Sequence, residues 1–228
     1  IDRKRFTNDP TLPLGTSELT VIEMTRGIAS FARSGETRPT YFIRAVDDRS
    51  GKRLYEAEIP PAEKILAPEA AFIVCDMMRD VINRGTAYQS VRRDGGLTGD
   101  VAGKTGTNTG FRDAWFTGFS GAVAATVWIG CDSPVFALSH GRAGSVSAAP
   151  AWAVFMKEAM KQYKGQLYRD IPENIESRDI CVETGLLPVA GCRIRKEYYI
   201  KGSVPAEHCT GEHMRMMSYD ELAGGRND

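Results

Sequence analysis

Three glycine-punctuated runs in the middle of the 228-residue chain, 101–107, 114–119 and 122–130, constrain the fold more than any other part of it. Only Ser120-Gly121 separates the second run from the third. A two-residue connection joins antiparallel neighbours, because a parallel crossover needs a dozen residues or more. The three runs are therefore expected to form a meander with Lys104 on its first strand. The sequence leaves open whether that strand is the edge of the sheet.

The first run reads Val101-Ala102-Gly103-Lys104-Thr105-Gly106-Thr107 and follows the glycine-loosened loop 93–99. Glycine weakens a strand interior and often marks where another backbone comes close. On a sheet edge such a strand accepts an extended peptide as an extra strand. Alternation puts Thr105 and Thr107 on one face and Lys104 on the other, unless the glycines twist the strand locally. One ammonium and two hydroxyls could then surround a peptide's terminal carboxylate. By itself, Lys-Thr-Gly is more often a turn or a solvated strand end. A P-loop fails on register, because G-x-x-x-x-G-K-[ST] requires glycine where Thr98 stands and Gly99 is one residue too close. Gly106-Thr107-Asn108-Thr109-Gly110 is also unsuited to open a helix whose amino end would cradle phosphate.

Lys+Arg and Asp+Glu both number 29, so overall charge argues for neither nucleic acid nor an anionic membrane as partner. The length suffices for one substantial core plus an appendage. The longest apolar run, 122–129, is far short of the roughly 20 residues of a membrane helix. No signal-like segment is present and the chain starts at Ile1, so a piece of a longer protein is expected.

Helices are expected on both sides of the meander. Thr20-Val21-Ile22-Glu23 is a capping box, and Val21, Met24, Ile28 and Phe31 follow at helical spacing to a stop at Gly35. Residues 41–46 and 52–58 read as a surface hairpin about the loop 47–51, ended by Pro60-Pro61. A second helix starts at Pro68, carries Ala71, Val74, Cys75, Met78, Val81 and Ile82 on one face, and is closed by Gly85. A third has Pro150 early, Trp152, Phe155, Met156, Ala159 and Tyr163 as its core stripe, and Lys157, Lys161 and Lys164 as a solvated face. The segment 139–147 is small and glycine-rich, with His140 and Arg142 as its bulky polar groups, and His140 reads as a surface histidine. From Ile171 the periodicity fails and short motifs take over, ending in about fifteen residues of frayed character.

Several phrases stand together in the order and spacing of a penicillin-binding transpeptidase domain: Leu14-Gly15-Thr16-Ser17-Glu18-Leu19-Thr20, Ala29-Ser30-Phe31-Ala32-Arg33-Ser34-Gly35, Arg84-Gly85-Thr86, Val101 through Thr107, and Asp113-Ala114-Trp115-Phe116-Thr117-Gly118. Ala148-Ala149-Pro150-Ala151-Trp152, Glu183-Thr184-Gly185 and Gly202-Ser203-Val204-Pro205 with Cys209 resemble the same family's carboxyl end. The chain thus resembles the bifunctional class A penicillin-binding proteins over nearly its whole length. The resemblance implies an α/β, serine β-lactamase-like transpeptidase fold, an antiparallel sheet packed with helices. It is expected as a partial domain in residues 1–166, with a small cysteine-containing tail at 167–228. Asp113 and Trp115 are expected to serve turn and sheet packing.

The family's motifs are S-x-x-K, a serine-asparagine pair and K-T-G. Only the third is present: no serine here has lysine three residues on or asparagine two residues on. The chain is therefore expected to start after the first two and to be inactive alone. In the family a serine attacks the penultimate D-alanine carbonyl of a peptidoglycan stem peptide, and the acyl group passes to a neighbouring stem. The resemblance assigns Lys104 and Thr107 to catalysis and Thr105, Gly106 and Thr107 to substrate binding. The Thr107 amide would be half of the oxyanion hole. Implied partners are stem peptides, β-lactams and the missing part of the domain, with no cofactor, no metal and no nucleic acid. The parent would be a membrane-anchored synthase acting outside the cytoplasmic membrane. Alternatives are a D,D-carboxypeptidase or serine β-lactamase relative, and a non-catalytic scaffold module.

Five cysteines remain. Cys75 and Cys131 sit in apolar contexts and read as buried thiols. Cys181, Cys192 and Cys209 lie near the carboxyl end, where an oxidising compartment permits a disulfide. With His213 they could bind zinc, but the gaps lack the paired ligands of known structural sites, so a Cys192–Cys209 disulfide or free thiols are preferred. His208 reads as solvated.

Overall fold

The structure is a computed structural model describing residues 6, 10–107, 112–131, 137–138, 143–168 and 170–213. The readings of 108–110, of His140 and Arg142, and of the last fifteen residues fall outside the described residues. The chain forms two compact units, residues 1–170 and 171–228. Among the described residues no helix is long and apolar enough to cross a membrane.

In chain order the first unit contains α1 (Val21–Ala32), β1 (Glu36–Thr37), β2 (Ala45–Asp47), β3 (Arg53–Glu56), β4 (Glu63–Lys64), α2 (Pro68–Asn83), a π-helical turn (Tyr88–Arg93), β5 (Val101–Thr107), β6 (Asp113–Ser120), β7 (Ala124–Gly130) and α3 (Ala148–Gln162). The capping box of α1 forms: the Glu23 amide donates to Thr20 Oγ1 at 3.3 Å and the Thr20 amide to Glu23 Oε2 at 2.9 Å. Gly35 follows with φ of +87°, against Leu66, whose carbonyl carbon would lie 2.9 Å from an added Cβ. Val21 is exposed, so the buried face of α1 begins further on, at Ile28. β2 and β3 make the expected surface hairpin, and β1 reaches across it to pair with β4, a contact too short to leave a sequence pattern.

Helix α2 opens on Pro68 and buries Ala71, Phe72, Cys75, Met78 and Ile82. Gly85 departs from expectation. It does not take the left-handed conformation of a closing glycine. Its requirement is room, since an added Cβ would stand 2.8 Å from Val81 Cα.

The meander forms in the order β5-β6-β7, antiparallel throughout, with β5 at an edge among the described residues. The turn is shifted by one residue from the sequence reading: the Ser120 amide donates to Val123 O at 2.8 Å, which centres the turn on Gly121-Ala122. Ser120 Oγ explains the shift by accepting the amides of Ala122 and Val123 at 3.3 and 3.2 Å. Successive side chains face opposite ways. Val101 and Phe116 pack with Ile82, Val91, Leu97, Trp152 and Met156, while Ala102 and Phe119 pack with Ile28, Cys75, Met78 and Leu167. The sheet is the middle layer.

Two expectations about this core are corrected. Phe155 and Tyr163 are exposed, not core. The buried seam of α3 is Ala148, Ala149, Trp152, Ala153 and Met156; Phe155 lies roughly a quarter-turn off it, and Tyr163 follows the helix's last residue with extended backbone. Cys131 is exposed, because it follows the last residue of β7. Cys75 is fully buried, and burial pushes its thiol up to about 12, with Asp100 and Asp76 adding to the shift and Arg79 opposing it. We expect an alkylating reagent at neutral pH to modify Cys131 and spare Cys75 in the folded chain, read by peptide mass mapping. The raised value also couples to stability. The contribution is whole below the ordinary thiol value of 9.0 and is lost as pH rises towards 12, where the unfolded thiol ionises and the folded one does not. Denaturation midpoints should therefore fall more between about pH 8 and about pH 11 in the unsubstituted chain than in Cys75→Ala. Equal falls would refute the coupling.

The second unit is built on a hairpin that sequence periodicity missed, β8 (Ile175–Cys181) with β9 (Ile194–Ile200), in register from Ile175↔Ile200 to Cys181↔Ile194. Its strands carry Glu176, Arg178, Asp179, Arg195, Lys196 and Glu197, paired in part as Arg178–Glu176 at 2.7 Å and Arg195–Glu197, so no apolar alternation marks them. Backbone bonds fold the long connection back: Cys181 N to Leu186 O at 2.8 Å, Val182 N to Arg193 O at 3.0 Å, Leu187 N to Glu207 O at 3.0 Å and Cys209 N to Leu187 O at 2.8 Å. All five cysteines are free thiols, so of the two readings preferred for the tail, a Cys192–Cys209 disulfide or free thiols, the structure has the second. His208 is exposed.

Candidate active site

Lys104, Thr105, Gly106 and Thr107 occupy the second half of β5, where burial gives way to exposure. Arg79 braces the approach to this strand by gripping both oxygens of Asp100 at 2.8 Å and the Leu167 carbonyl at 3.0 Å. The four residues pair with Thr117, Phe116, Trp115 and Ala114 of β6. Gly103 and Gly106 are needed for close packing: an added Cβ would stand 2.8 Å from the Phe116 ring at the first and 3.0 Å from Trp115 Cβ at the second. Beyond them, Asp113 Oδ1 accepts from Trp128 Nε1 at 2.7 Å, and the Trp115 and Trp128 rings lie 6.2 Å apart, which ties this end of the sheet together.

Alternation places Lys104 on the face of Thr117 and Thr126, away from Thr105 and Thr107. Its ammonium nevertheless reaches the threonine side. Lys104 Nζ donates to Thr105 O at 2.7 Å and lies 3.3 Å from Thr105 Oγ1. A four-carbon stem on an edge strand is long enough to wrap around the backbone, which it could not do beneath a neighbouring strand. Cation and hydroxyl thus meet without a local twist.

Two partners of the site escaped sequence reasoning. Thr86, just beyond α2, places its hydroxyl 3.2 Å from that of Thr105. Gly144 donates its amide to Thr107 Oγ1 at 3.0 Å. An added Cβ there would meet the carbonyl oxygens of Trp115 and Gly106, the second at 2.5 Å. The signal for Thr86 was its place in the phrase Arg84-Gly85-Thr86; for Gly144 it was only the run of small residues. The resulting edge offers an ammonium and three hydroxyls over a few residues, suited to holding a carboxylate.

The helix-flanked antiparallel sheet with Lys-Thr-Gly on its edge strand has the fold of the penicillin-binding proteins, as solved structures show. The crystal structure of penicillin-binding protein 1A from Haemophilus influenzae superposes with a TM-score of 0.80 at 27% identity, covering 91% of this chain and 36% of that one. The PonA1 protein of Mycobacterium tuberculosis in complex with penicillin V gives 0.55 at 25% identity, covering 72% of this chain and 46% of that one. The family model for the penicillin binding protein transpeptidase domain matches residues 7–151, and the chain belongs to that family. A second model, penicillin-binding protein 1A, C-terminal domain, matches residues 171–213, starting where the second unit starts. Among curated relatives, penicillin-binding protein 1A of Aquifex aeolicus is 34% identical over 200 residues, 88% of this chain and 27% of that protein. Penicillin-binding protein 2D of Bacillus subtilis is 32% identical over 223 residues, 93% of this chain and 31% of that protein. The chain therefore spans roughly a quarter to a third of the length of these relatives.

Proposed function

We propose that these 228 residues form one wall of a peptidoglycan D,D-transpeptidase site, the wall that binds the carboxylate of the stem peptide or of a β-lactam. The observation that carries this reading is the Lys104 ammonium folded around the β5 edge to within 3.3 Å of the Thr105 hydroxyl. Thr105 and Thr107 hold the carboxylate, Gly106 lets the extended peptide approach the edge, and Lys104 keeps the site positive. A serine elsewhere in the parent attacks the penultimate carbonyl. Its proton passes to a neighbouring base, the leaving D-alanine amine takes one up, and the acyl-serine is then resolved by an amine of a second stem. The tetrahedral oxygen is met by the Thr107 amide; losing one such donor typically costs about 2.7–4 kcal/mol in the transition state.

The absence of S-x-x-K within the 228 residues supports placing nucleophile and base outside this sequence. The parent acts at the outer face of the cytoplasmic membrane, where its substrate lies. With a labelled penicillin we expect the parent protein to be acylated and this chain alone to remain unlabelled. Lys104→Ala in the parent should slow acylation on the order of 10–100-fold, the worth of a hydrogen-bonded charge. An unchanged acylation rate in that variant would remove Lys104 from the site.

A further inference from the structure

We infer that the second unit is organised by a structural metal ion of zinc type, held by Cys181, Cys192, Cys209 and His213. One ligand atom from each of these four side chains lies within 4.8 Å of every other. His213 Nδ1 is 3.4 Å from Cys209 Sγ, and Nε2 is 3.6 Å from Cys181 Sγ. A tetrahedral centre with zinc–sulfur bonds of about 2.3 Å and zinc–nitrogen bonds of about 2.0 Å has edges of about 3.5–3.8 Å. With all four ligand atoms within 4.8 Å of one another and a His213 nitrogen beside each of two sulfurs, small side-chain shifts bring them onto such a tetrahedron, and three cysteines with one histidine are a closed structural donor set.

The convergence is produced by backbone pairing. Cys181 ends β8, and its amide and carbonyl are tied to Leu186 and Gly185 by bonds of 2.8 Å each. Cys192 closes a turn on Val189 at 3.1 Å. Cys209 is zipped beside Leu187 through the parallel bridge Leu187↔His208, and His213 follows one short turn later. Three separate segments thus deliver four ligands to one point.

Two further observations favour an ion over a chance cluster. The Val189 amide donates to Cys192 Sγ at 3.4 Å and the Gly211 amide to Cys209 Sγ at 3.3 Å, bonds that stabilise sulfur as thiolate. Binding releases the three thiol protons and leaves a divalent ion with three thiolates and a neutral imidazole, one net negative charge that these amides face. Among the described residues the unit has no other staple. Within residues 171–213 the buried apolar side chains are Ile175, Ile180, Cys181 and Cys209, and two of those four are proposed ligands. Modules of this size rarely stand on their core alone and add a disulfide or a metal. A disulfide would use two of the cysteines and leave the third beside His213, whose other contact among the described residues is Glu183 Oε2 at 3.8 Å, whereas a metal uses all four groups.

The test uses the whole 228-residue chain. As isolated without reductant it should carry one zinc per chain by elemental analysis, with no mass deficit for a disulfide. After metal removal under reducing conditions, cobalt(II) should bind one per chain. It should show thiolate-to-cobalt charge-transfer absorption and the intense visible bands of a tetrahedral site, and zinc should displace it. Zinc should shield Cys181, Cys192 and Cys209 from alkylation while leaving Cys131 reactive, and a chelator should remove that shield. Cys209→Ser and His213→Ala should weaken cobalt binding by more than about tenfold, the least that losing even a group hydrogen-bonded to a ligand typically costs; Cys131→Ser should leave it unchanged. A Cys192–Cys209 disulfide in the isolated chain, a weak octahedral cobalt spectrum, or alkylation of the three thiols that zinc does not alter would each overturn the proposal. None of these outcomes bears on the transpeptidase reading.

Discussion

Replacing Trp152 by alanine is expected to lower the unfolding free energy of the chain by about 3–5 kcal/mol, measured by urea denaturation. Trp152 is fully buried, with its ring 4.8 Å from that of Phe116 and its Nε1 donating to Ala125 O at 3.1 Å. Its indole occupies the space that Gly118 leaves free, since a Cβ on Gly118 would stand 2.7 Å from the ring. Truncation would open a cavity against backbone that cannot collapse and would take the donor from the half-buried Ala125 carbonyl. Against a typical total of about 5–15 kcal/mol, that leaves little folded population margin. Phe155→Ala, three residues on and exposed, should cost no more than about 0.5 kcal/mol. Equal costs for the two would mean that the seam of α3 is misassigned.

The second large effect is expected at Gly144. Alanine there drives a methyl group onto the carbonyl oxygens of Trp115 and Gly106, which are strand backbone and cannot rotate away. Overpacking costs typically about 1–3 kcal/mol, and more where no side chain can yield. The displaced segment would also withdraw the amide bonded to Thr107 Oγ1. Gly144→Ala should therefore destabilise the chain by about 3 kcal/mol and, in the parent protein, slow penicillin acylation beyond the effect of Thr107→Val, which removes only the hydroxyl. Gly27→Ala is the control, because Gly27 lies on α1 with nothing within 4 Å of an added Cβ. It should stabilise by about 0.5–1 kcal/mol. A neutral Gly144→Ala would show that this segment does not press on β5.

Local signals were legible wherever their cause is local. The Thr20–Glu23 box, Pro68 at the start of α2 and the two strand runs about Gly121 involve residues within a few positions of one another, and the chain adopts the first two as read and the third with its turn shifted by one residue. Apolar spacing located the face of α2 but not the exposure of Phe155, because an aromatic at helical spacing does not reveal where its partner element ends. The β8–β9 hairpin left no trace, since its strands are held by backbone pairing and carry charged side chains that pair along each strand.

The candidate site divides along the same line. Its residue types and order, Lys104 to Thr107, were set by the sequence alone, as was the lack of a serine with lysine three residues on. The tertiary structure decided what those residues face: the edge position of β5 that lets the Lys104 ammonium round to Thr105, and the approach of Thr86 and of Gly144 from segments 19 and 37 residues away. It also decided that Cys181, Cys192, Cys209 and His213 share one point. Side-chain chemistry is written residue by residue, whereas convergence depends on strand register and backbone closure between distant segments, which no local pattern encodes.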